Sequence, residues 1–524
     1  MTTEATMEKR REIMTTSSSF EKMREVGAVY IDKTALIYRM ATDTNDAYFL
    51  ARPRRFGKSL LVSTLQAYFE GRRELFEGLA IAGLEQTWEK YPVLSFDMSN
   101  MKDMGVEQLE EKLDYMLQQY EEIYGVEPSF KRPSTRLHAL IQKARAQTGK
   151  RVVILVDEYD TPLLDNLTDE PTLQTLQNKL RDFYGVFKER TSDLRFVFIT
   201  GITRFSQLSI FSAMSNLVSI SLDSEYAAIC GITKEELMTS LKPELAAMAE
   251  KLHISESTAL ARLKKKYDGY HFAKRSPDIF NPLSLLRALK NGELNNYWYA
   301  TGTPTFLTRM IGNYTIRPEE LDGFLASEMD FDVALEDAET PIPMLYQSGY
   351  VTIKSCKRDY YILGFPNEEV RVSFIKGLTP YYTKKTATET NSIILRVTYA
   401  LDEGDVETAM KLLRSFFSSI PYNAEKQDEN HYKTIFYLIF TLATDYCVKT
   451  EQCSAAGRCD ALIETEDTIY LFEFKLDGTA EEAIQQIDDK GYAIQYEAGD
   501  KKIVKIGANF ESDKRTLERW IVVE

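Results

Sequence analysis

Two groups of side chains in the first half of this 524-residue chain have the types and spacing that chemistry on a nucleoside triphosphate requires. The first is Gly57-Lys58-Ser59, which follows the apolar run Ala47–Leu50 through Ala51-Arg52-Pro53-Arg54-Arg55-Phe56 and opens a segment of helical spacing. A loop that grips a triphosphate needs backbone N–H groups around the phosphate oxygens. It also needs a lysine reaching the β- and γ-phosphates and a hydroxyl on Mg²⁺. Gly57, Lys58 and Ser59 supply the last three positions of GxxxxGK[ST] at a helix N-terminus, where the dipole favours an anion. Arg52 stands in place of the first glycine, and Arg54, Arg55 and Phe56 complete the turn. The second group is the run Val152–Val156 ending in Asp157-Glu158. At the end of a buried strand, Asp157 would hold Mg²⁺ through water and Glu158 would polarise the attacking water. The plainer reading has these acids merely capping the next helix. Phe196–Ile199 likewise ends in a polar residue, Thr200, placed to sense the γ-phosphate. Arg204 just beyond suits either the phosphates, of its own or a neighbouring subunit, or a surface ion pair.

A third group lies near the C-terminus. Gly457-Arg458-Cys459-Asp460 begins one β-like run and Phe472-Glu473-Phe474-Lys475 ends the next. The separation allows a turn and a return, so Asp460, Glu473 and Lys475 meet, and Glu473 and Lys475 share a face because strand side chains repeat every two residues. Two carboxylates to hold Mg²⁺ and a cation to orient water and stabilise a pentavalent phosphorus are what phosphodiester hydrolysis needs. A buried structural ion pair is the simpler alternative, although such pairs are costly to bury. Glu429, on a preceding helical segment, would add an outer carboxylate.

The elements that must position these groups are legible in outline. Val29–Ile31, Ala47–Leu50, Val93–Phe96, Val152–Val156 and Phe196–Thr200 read as strands alternating with helices such as 60–70 and 106–124. Continuous apolar runs of this length predict strands buried on both faces, the α/β pattern of a parallel sheet. From about Glu225 to Trp298 the chain reads as helical. A short helix, Met344–Gly349, then precedes strands Tyr350–Cys356 and Tyr360–Leu363; a winged helix ends this way, but an ordinary helix and hairpin is the preferred reading, and paired helices resume over 393–417. The last hundred residues read α-β-β-β-α-β: a helix from Glu429 to Tyr446, three strands, a helix from Ala480 to Glu497 and a strand from Lys502 to Ile506. The division expected is 1–224, 225–300, 301–420 and 421–524.

Composition narrows the classes. The net charge of −15 and isoelectric point near 5.1 give no global basic field for nucleic acid. Residues 451–524 hold 9 Lys+Arg against 17 Asp+Glu, a net of −8. A unit this acidic grips a polyanion poorly by itself. Arg10-Arg11, Lys264–Lys266 and Lys384-Lys385 are the basic clusters, each read as a solvated face. The five cysteines, including Cys447, Cys453 and Cys459 at six-residue intervals, lack CxxC pairing and read as reduced thiols. No apolar N-terminal segment marks a signal peptide, and the apolar stretch 434–443 is far short of the roughly 18 residues a span needs. A cytoplasmic protein with no membrane contact is the expectation.

In combination the motifs carry a resemblance. Tyr30-Ile31-Asp32-Lys33-Thr34, Arg52 to Ser59, Asp157-Glu158-Tyr159-Asp160 and Thr200-Gly201-Ile202-Thr203-Arg204-Phe205 resemble the AAA-ATPase-like family common in gut anaerobes. Phe280-Asn281-Pro282-Leu283-Ser284, Tyr297 to Pro304 and Phe365-Pro366-Asn367 fit as well, so the resemblance spans nearly the whole chain. It implies a P-loop ATPase followed by a PD-(D/E)XK nuclease-like domain. Gln486, in Gln485-Gln486-Ile487, matches a polar position that faces the nuclease-like site. The expected ligands are ATP and Mg²⁺, with Mn²⁺ acceptable at the second site. The expected partner is nucleic acid, DNA ahead of RNA, and self-association is possible. The rival expectation is an ATP-dependent signalling or scaffolding switch whose nuclease-like domain only binds.

Overall fold

The computed structural model describes residues 11–99, 105–203, 214–298, 317–420 and 434–524, apart from 443–446, 451–452, 455–456 and a few single or paired positions. Arg204 and Glu429 lie outside the described residues, as does most of the helix expected from Glu429 to Tyr446; its described positions within 434–442 are helical. The chain divides into two compact units, Met1–Thr315 with Gly323–Val370 and Ile316–Asp322 with Arg371–Glu524.

The first unit is built on five strands, β1 (Ala47–Ala51), β2 (Val93–Asp97), β3 (Val152–Asp157), β4 (Leu194–Gly201) and β5 (Val218–Ser219). They pair throughout in parallel, in the order β2-β3-β4-β1-β5. Every side chain of Val152–Val156 is fully buried, as continuous apolar runs require when helices cover a parallel sheet. Each such aliphatic side chain contributes on the order of 1.5–3 kcal/mol. The order has a consequence for chemistry: β4 lies between the strand that feeds the phosphate loop and the strand that ends in acids. All three deliver their C-terminal ends to one edge, where open α/β sheets bind ligands.

Val29–Ile31 is not a strand. Val29 and Tyr30 are buried in irregular backbone, and Val29 joins the apolar core of the helices Lys234–Thr239, Lys242–Lys251, Glu256–Tyr267 and Pro282–Asn291. A three-residue apolar run meets that demand without ladder partners. These helices carry a two-stranded ribbon, β6 (Ile232–Thr233) with β7 (Ile279–Phe280). A three-stranded antiparallel sheet follows: β8 (Phe324–Ala326), β9 (Thr352–Lys357) and β10 (Tyr360–Gly364), in the order β8-β10-β9, with the helix Ile342–Gln347 between β8 and β9.

In the second unit the helices Glu368–Thr383 (which begins in the first), Ala387–Asp402 and Val406–Ser418 precede a mixed sheet. Its strands are β11 (Cys447–Thr450), β14 (Ala461–Glu464), β15 (Thr468–Leu476), β16 (Lys502–Glu511) and β17 (Thr516–Val523) in that order, beside a small ribbon of β12 (Cys453–Ser454) and β13 (Gly457–Arg458). β15 and β16 run parallel, joined by the helix Ala480–Asp489, and the other pairings are antiparallel. Two expectations are corrected. The helix stops at Asp489 rather than Glu497, because Gly491 takes φ 58° and the N–H groups of Tyr492 and Gly491 close on Ile487 O (3.2 Å) and Asp488 O (3.0 Å), the glycine helix stop with its apolar clasp of Tyr492 near Ile487. The sheet also continues beyond the anticipated last strand, with β16 running to Glu511 and β17 added at the edge.

Candidate active sites

The first site begins where β1 leaves the sheet. The turn 52–57 reaches the helix Lys58–Phe69 through Gly57 at φ 89°, and Arg55 at φ 69° also sits in the left-handed region. Lys58, 4 % exposed, donates its ammonium to the carbonyls of Arg52 (3.1 Å) and Pro53 (3.2 Å), holding the loop closed around its own charge. The residue in place of the first glycine is a buried strut. The Arg52 guanidinium lies 4.2 Å over the Phe272 ring and donates to Ser221 O at 2.7 Å, Ala51 O at 3.0 Å and Tyr226 O at 3.4 Å. Phe56 is fully buried edge-on against Tyr270 and Phe272, and Gly231 N donates to its carbonyl. The turn is therefore fixed by side chains from the helical segment as well as by its own backbone.

Asp157 ends β3 beside Lys58 and accepts a hydrogen bond from Ser59. Its Oδ1 is buried without a hydrogen-bond partner among the described residues, close to Lys58 and Ser59 of the candidate phosphate loop. Glu158 follows in a left-handed conformation, φ 50°. A backbone outlier of this kind at the end of a sheet strand is typical of functional turns. Thr200, next to last in β4, is in register with Leu50 and donates its hydroxyl to Leu50 O at 2.7 Å. Its proton is thus committed to the neighbouring strand, leaving only oxygen lone pairs to face a ligand. Serine and carboxylate oxygens are the hard donors Mg²⁺ takes, so Ser59 and Asp157 fit that ion.

Sequence reasoning assigned no role to Asp160, although it closes the Asp157-Glu158-Tyr159-Asp160 run. It is fully buried, and its Oδ2 accepts from Ile202 N (3.0 Å), Thr203 N (2.7 Å) and Thr203 Oγ1 (2.6 Å). Tyr159 N donates to Thr200 O and Tyr159 Oη to Thr203 O. The acid turn after β3 is thereby stitched to the end of β4, and Asp160 is the pin.

Burial pushes the Asp157 carboxyl up from its ordinary 3.8 to about 6, against the opposing pull of Ser59 and Lys58. The folded state then holds the proton more tightly than the unfolded chain. Stability from this group is full below about pH 3.8 and is lost as pH rises through 6, a difference of roughly 3 kcal/mol at neutral pH. Asp157→Asn is expected to raise the denaturation midpoint at pH 7.5 and to lose that advantage below pH 4, as chemical unfolding across pH would show. An unchanged midpoint at pH 7.5 would contradict the buried anion.

In the second unit, Glu473 and Lys475 lie on one face of β15, paired across to Gly507 and Asn509 of β16. Asp460, just before β14, accepts from Phe474 N at 2.9 Å, and its own N–H donates to Glu473 Oε2 at 3.3 Å. The Glu473 carboxylate is thus tied to the backbone of Asp460, and the Asp460 carboxylate to that of Phe474, next to Glu473. The helix Ala480–Asp489 completes the cluster: Gln486 accepts from Lys475 Nζ and donates to Glu473 Oε1, bridging cation and carboxylate. Glu473 is 2 % exposed. Cys459 and Tyr492, buried close by, have their acidities suppressed mainly by burial and then by nearby groups that include Glu473. Among the described residues no group of three or more His, Cys, Asp or Glu gathers to form a metal cage. Two carboxylates suffice for Mg²⁺, which keeps several of its waters, and the donor set fits.

The helix can approach only because position 507 lacks a side chain. A Cβ there would lie 2.5 Å from Ala480 O and 2.8 Å from Ile484 N. Gly507→Ala is therefore expected to shift the helix and break the Gln486 bridge. It should cost about 1–3 kcal/mol by overpacking, read as a lower midpoint in urea. A midpoint unchanged from wild type would show that the helix tolerates displacement.

The family model described as "Predicted AAA-ATPase" matches residues 15–211. A second, described as "PD-(D/E)XK nuclease superfamily", matches residues 427–520. The chain is also 32 % identical over 523 residues to a protein of Azotobacter chroococcum mcd 1 named "Uncharacterized protein in vnfD 5'region", covering 96 % of this chain and 97 % of the relative. No described helix is long and apolar enough to cross a membrane. With the acid-tipped strand, the phosphate loop and the carboxylate–lysine cluster all in place, the chain belongs to the predicted AAA-ATPase family and carries a PD-(D/E)XK nuclease superfamily domain at its C-terminal end.

Proposed function

We propose that this protein binds and hydrolyses ATP and uses that cycle to control divalent-cation-dependent cleavage of nucleic acid, DNA in preference to RNA. The observation that carries the reading is Asp157: a buried carboxylate with one unpartnered oxygen, bonded by Ser59 and beside Lys58, at the end of the strand separated from the phosphate loop by β4. The backbone of Arg54 to Gly57 would cradle phosphates, and Lys58 would exchange its loop carbonyls for β- and γ-phosphate oxygens. Ser59 and Asp157 would hold Mg²⁺, which when bound offsets the negative charge of the triphosphate. Glu158 is the group to take the proton of the attacking water. Thr200, and Arg204 beyond it, complete the γ-phosphate end. In the nuclease-like domain Asp460 and Glu473, with Glu429 in an outer position, would hold Mg²⁺ or Mn²⁺, which when bound polarises the scissile phosphate. Lys475, oriented by Gln486, would supply the positive charge that orients water. The domain limits 1–224, 225–300, 301–420 and 421–524, cytoplasmic operation and homo-oligomer formation belong to the same reading.

Lys58→Ala tests the nucleotide half. Calorimetric titration with ATP and Mg²⁺ is expected to show binding by the wild type and none by the variant. Binding at wild-type affinity would remove the phosphate loop from the account. The acidity of residues 451–524 favours the second reading, a switch whose nuclease-like domain binds without cutting. Cleavage of any labelled DNA or RNA by wild type but not by Lys475→Ala would exclude it.

A further inference from the structure

The phosphate loop carries two arginines whose roles its backbone does not explain. Arg52, Arg24, Arg136 and Arg145 all donate their guanidinium groups to carbonyls or carboxylates of the protein. Arg54 and Arg55 make no hydrogen bond or ion pair with any described residue, in a chain with a net charge of −15. Arg54 is half-buried and stands four positions before Lys58, and Arg55 is exposed and stands three before it. Arg55 is also at φ 69°, a left-handed conformation uncommon for residues other than glycine. The neighbouring anchors account for that conformation: Phe56 is locked between Tyr270 and Phe272, and Arg52 is pinned by three carbonyls. The loop is braced on both sides of a strained residue whose five donors have no described partner.

We propose that Arg55 is a catalytic residue of the ATPase, acting in cis on the γ-phosphate as it departs. This rests on the ATPase reading above. In the reaction a water oxygen forms a bond to Pγ, the bond from Pγ to the β–γ bridging oxygen breaks, and its electron pair leaves with ADP. The water proton passes to Glu158 and inorganic phosphate is released. Negative charge grows on the γ-phosphoryl and bridging oxygens during that step, and a guanidinium fork placed there stabilises the transition state more than bound ATP. In this chain the arginine that a partner protein or neighbouring subunit often supplies is built into the loop itself. Turnover therefore does not wait for another subunit.

Arg55→Gly is the discriminating variant, because it removes the guanidinium while relieving the backbone, so folding is not endangered. ATP affinity is expected to stay within about threefold of wild type, while single-turnover hydrolysis falls at least about a thousand-fold, the lower end of what such arginines contribute. Trapping of ADP with fluoroaluminate, which mimics the transferring phosphoryl group, is expected to be lost. Mixing Arg55→Gly with Lys58→Ala protein is expected to restore nothing, since each active site needs both residues from one chain. Hydrolysis by Arg55→Gly within threefold of wild type, with Lys58→Ala inactive, would overturn the role of Arg55 and leave the ATPase reading standing. Recovery of activity on mixing would overturn action in cis. A wild-type protein that neither binds nor hydrolyses ATP would remove the ATPase reading, and this inference with it.

Discussion

Glu158→Gln is expected to bind ATP about as tightly as the wild-type protein and to hydrolyse it at least about a hundred-fold more slowly. The separation follows from position. Lys58, Ser59 and Asp157, which in the proposed reading would meet the phosphates and the cation, are untouched by the change, and the amide keeps the shape of the side chain. What disappears is the proton acceptor for the attacking water, and general base catalysis is worth about 10²–10⁴-fold. Glu158 is suited to that work because it stands one residue beyond the buried Asp157 on a left-handed turn, where Thr161 Oγ1 donates to its Oε2 at 3.4 Å. Rapid-quench measurement of a single turnover beside equilibrium ATP binding checks both halves. Turnover at the wild-type rate would move the base elsewhere, and joint loss of binding and turnover would mean that Glu158 supports the site's structure.

Glu473→Gln has the largest expected effect in the second unit: a loss of nucleic-acid cleavage on the order of a thousand-fold. The side chain is buried and held by Gln486 and by the N–H of Asp460, so an amide of equal size keeps the packing but not the charge. Removing one of two carboxylates weakens the grip on a divalent cation, and excess Mn²⁺ is expected to restore part of the rate. A melting temperature within a few degrees of wild type would show that the loss is chemical. Full cleavage by this variant would place the cation ligands elsewhere.

How much of this was readable beforehand depended on whether the signal was contiguous. Gly57-Lys58-Ser59 and the run Val152 to Glu158 show their local structure in the sequence, because a loop opening a helix is one turn and an acid-tipped strand is one strand. Asp460, Glu473 and Lys475 were also readable, since period-two alternation and one return of the chain bring them together. Gln486 came from resemblance, and the structure shows its physical basis as the bridge between Glu473 and Lys475. What stayed hidden was set by contacts distant in sequence. Nothing near Arg52 announces that its guanidinium stacks on Phe272, 220 positions away. Asp160 reads in the sequence as one more acid, because the N–H groups its carboxylate collects belong to residues 202 and 203. Val29–Ile31 had the composition of a strand, but the helical core claimed it. Edge strand β17, Thr516–Val523, is only partly buried, so its sequence lacks the clean alternation that marks a strand with one covered face. The helix expected to reach Glu497 contained its own stop at Gly491.

The central claim is that one chain joins ATP turnover to phosphodiester cleavage. The most direct measurement is cleavage of end-labelled single- and double-stranded DNA and RNA in Mg²⁺ or Mn²⁺, with and without ATP, by wild type, Lys58→Ala and Lys475→Ala. The account predicts ATP-dependent cutting by wild type, with DNA cut faster than RNA, and none by either variant. Identical behaviour of wild type and Lys475→Ala on every substrate would contradict it.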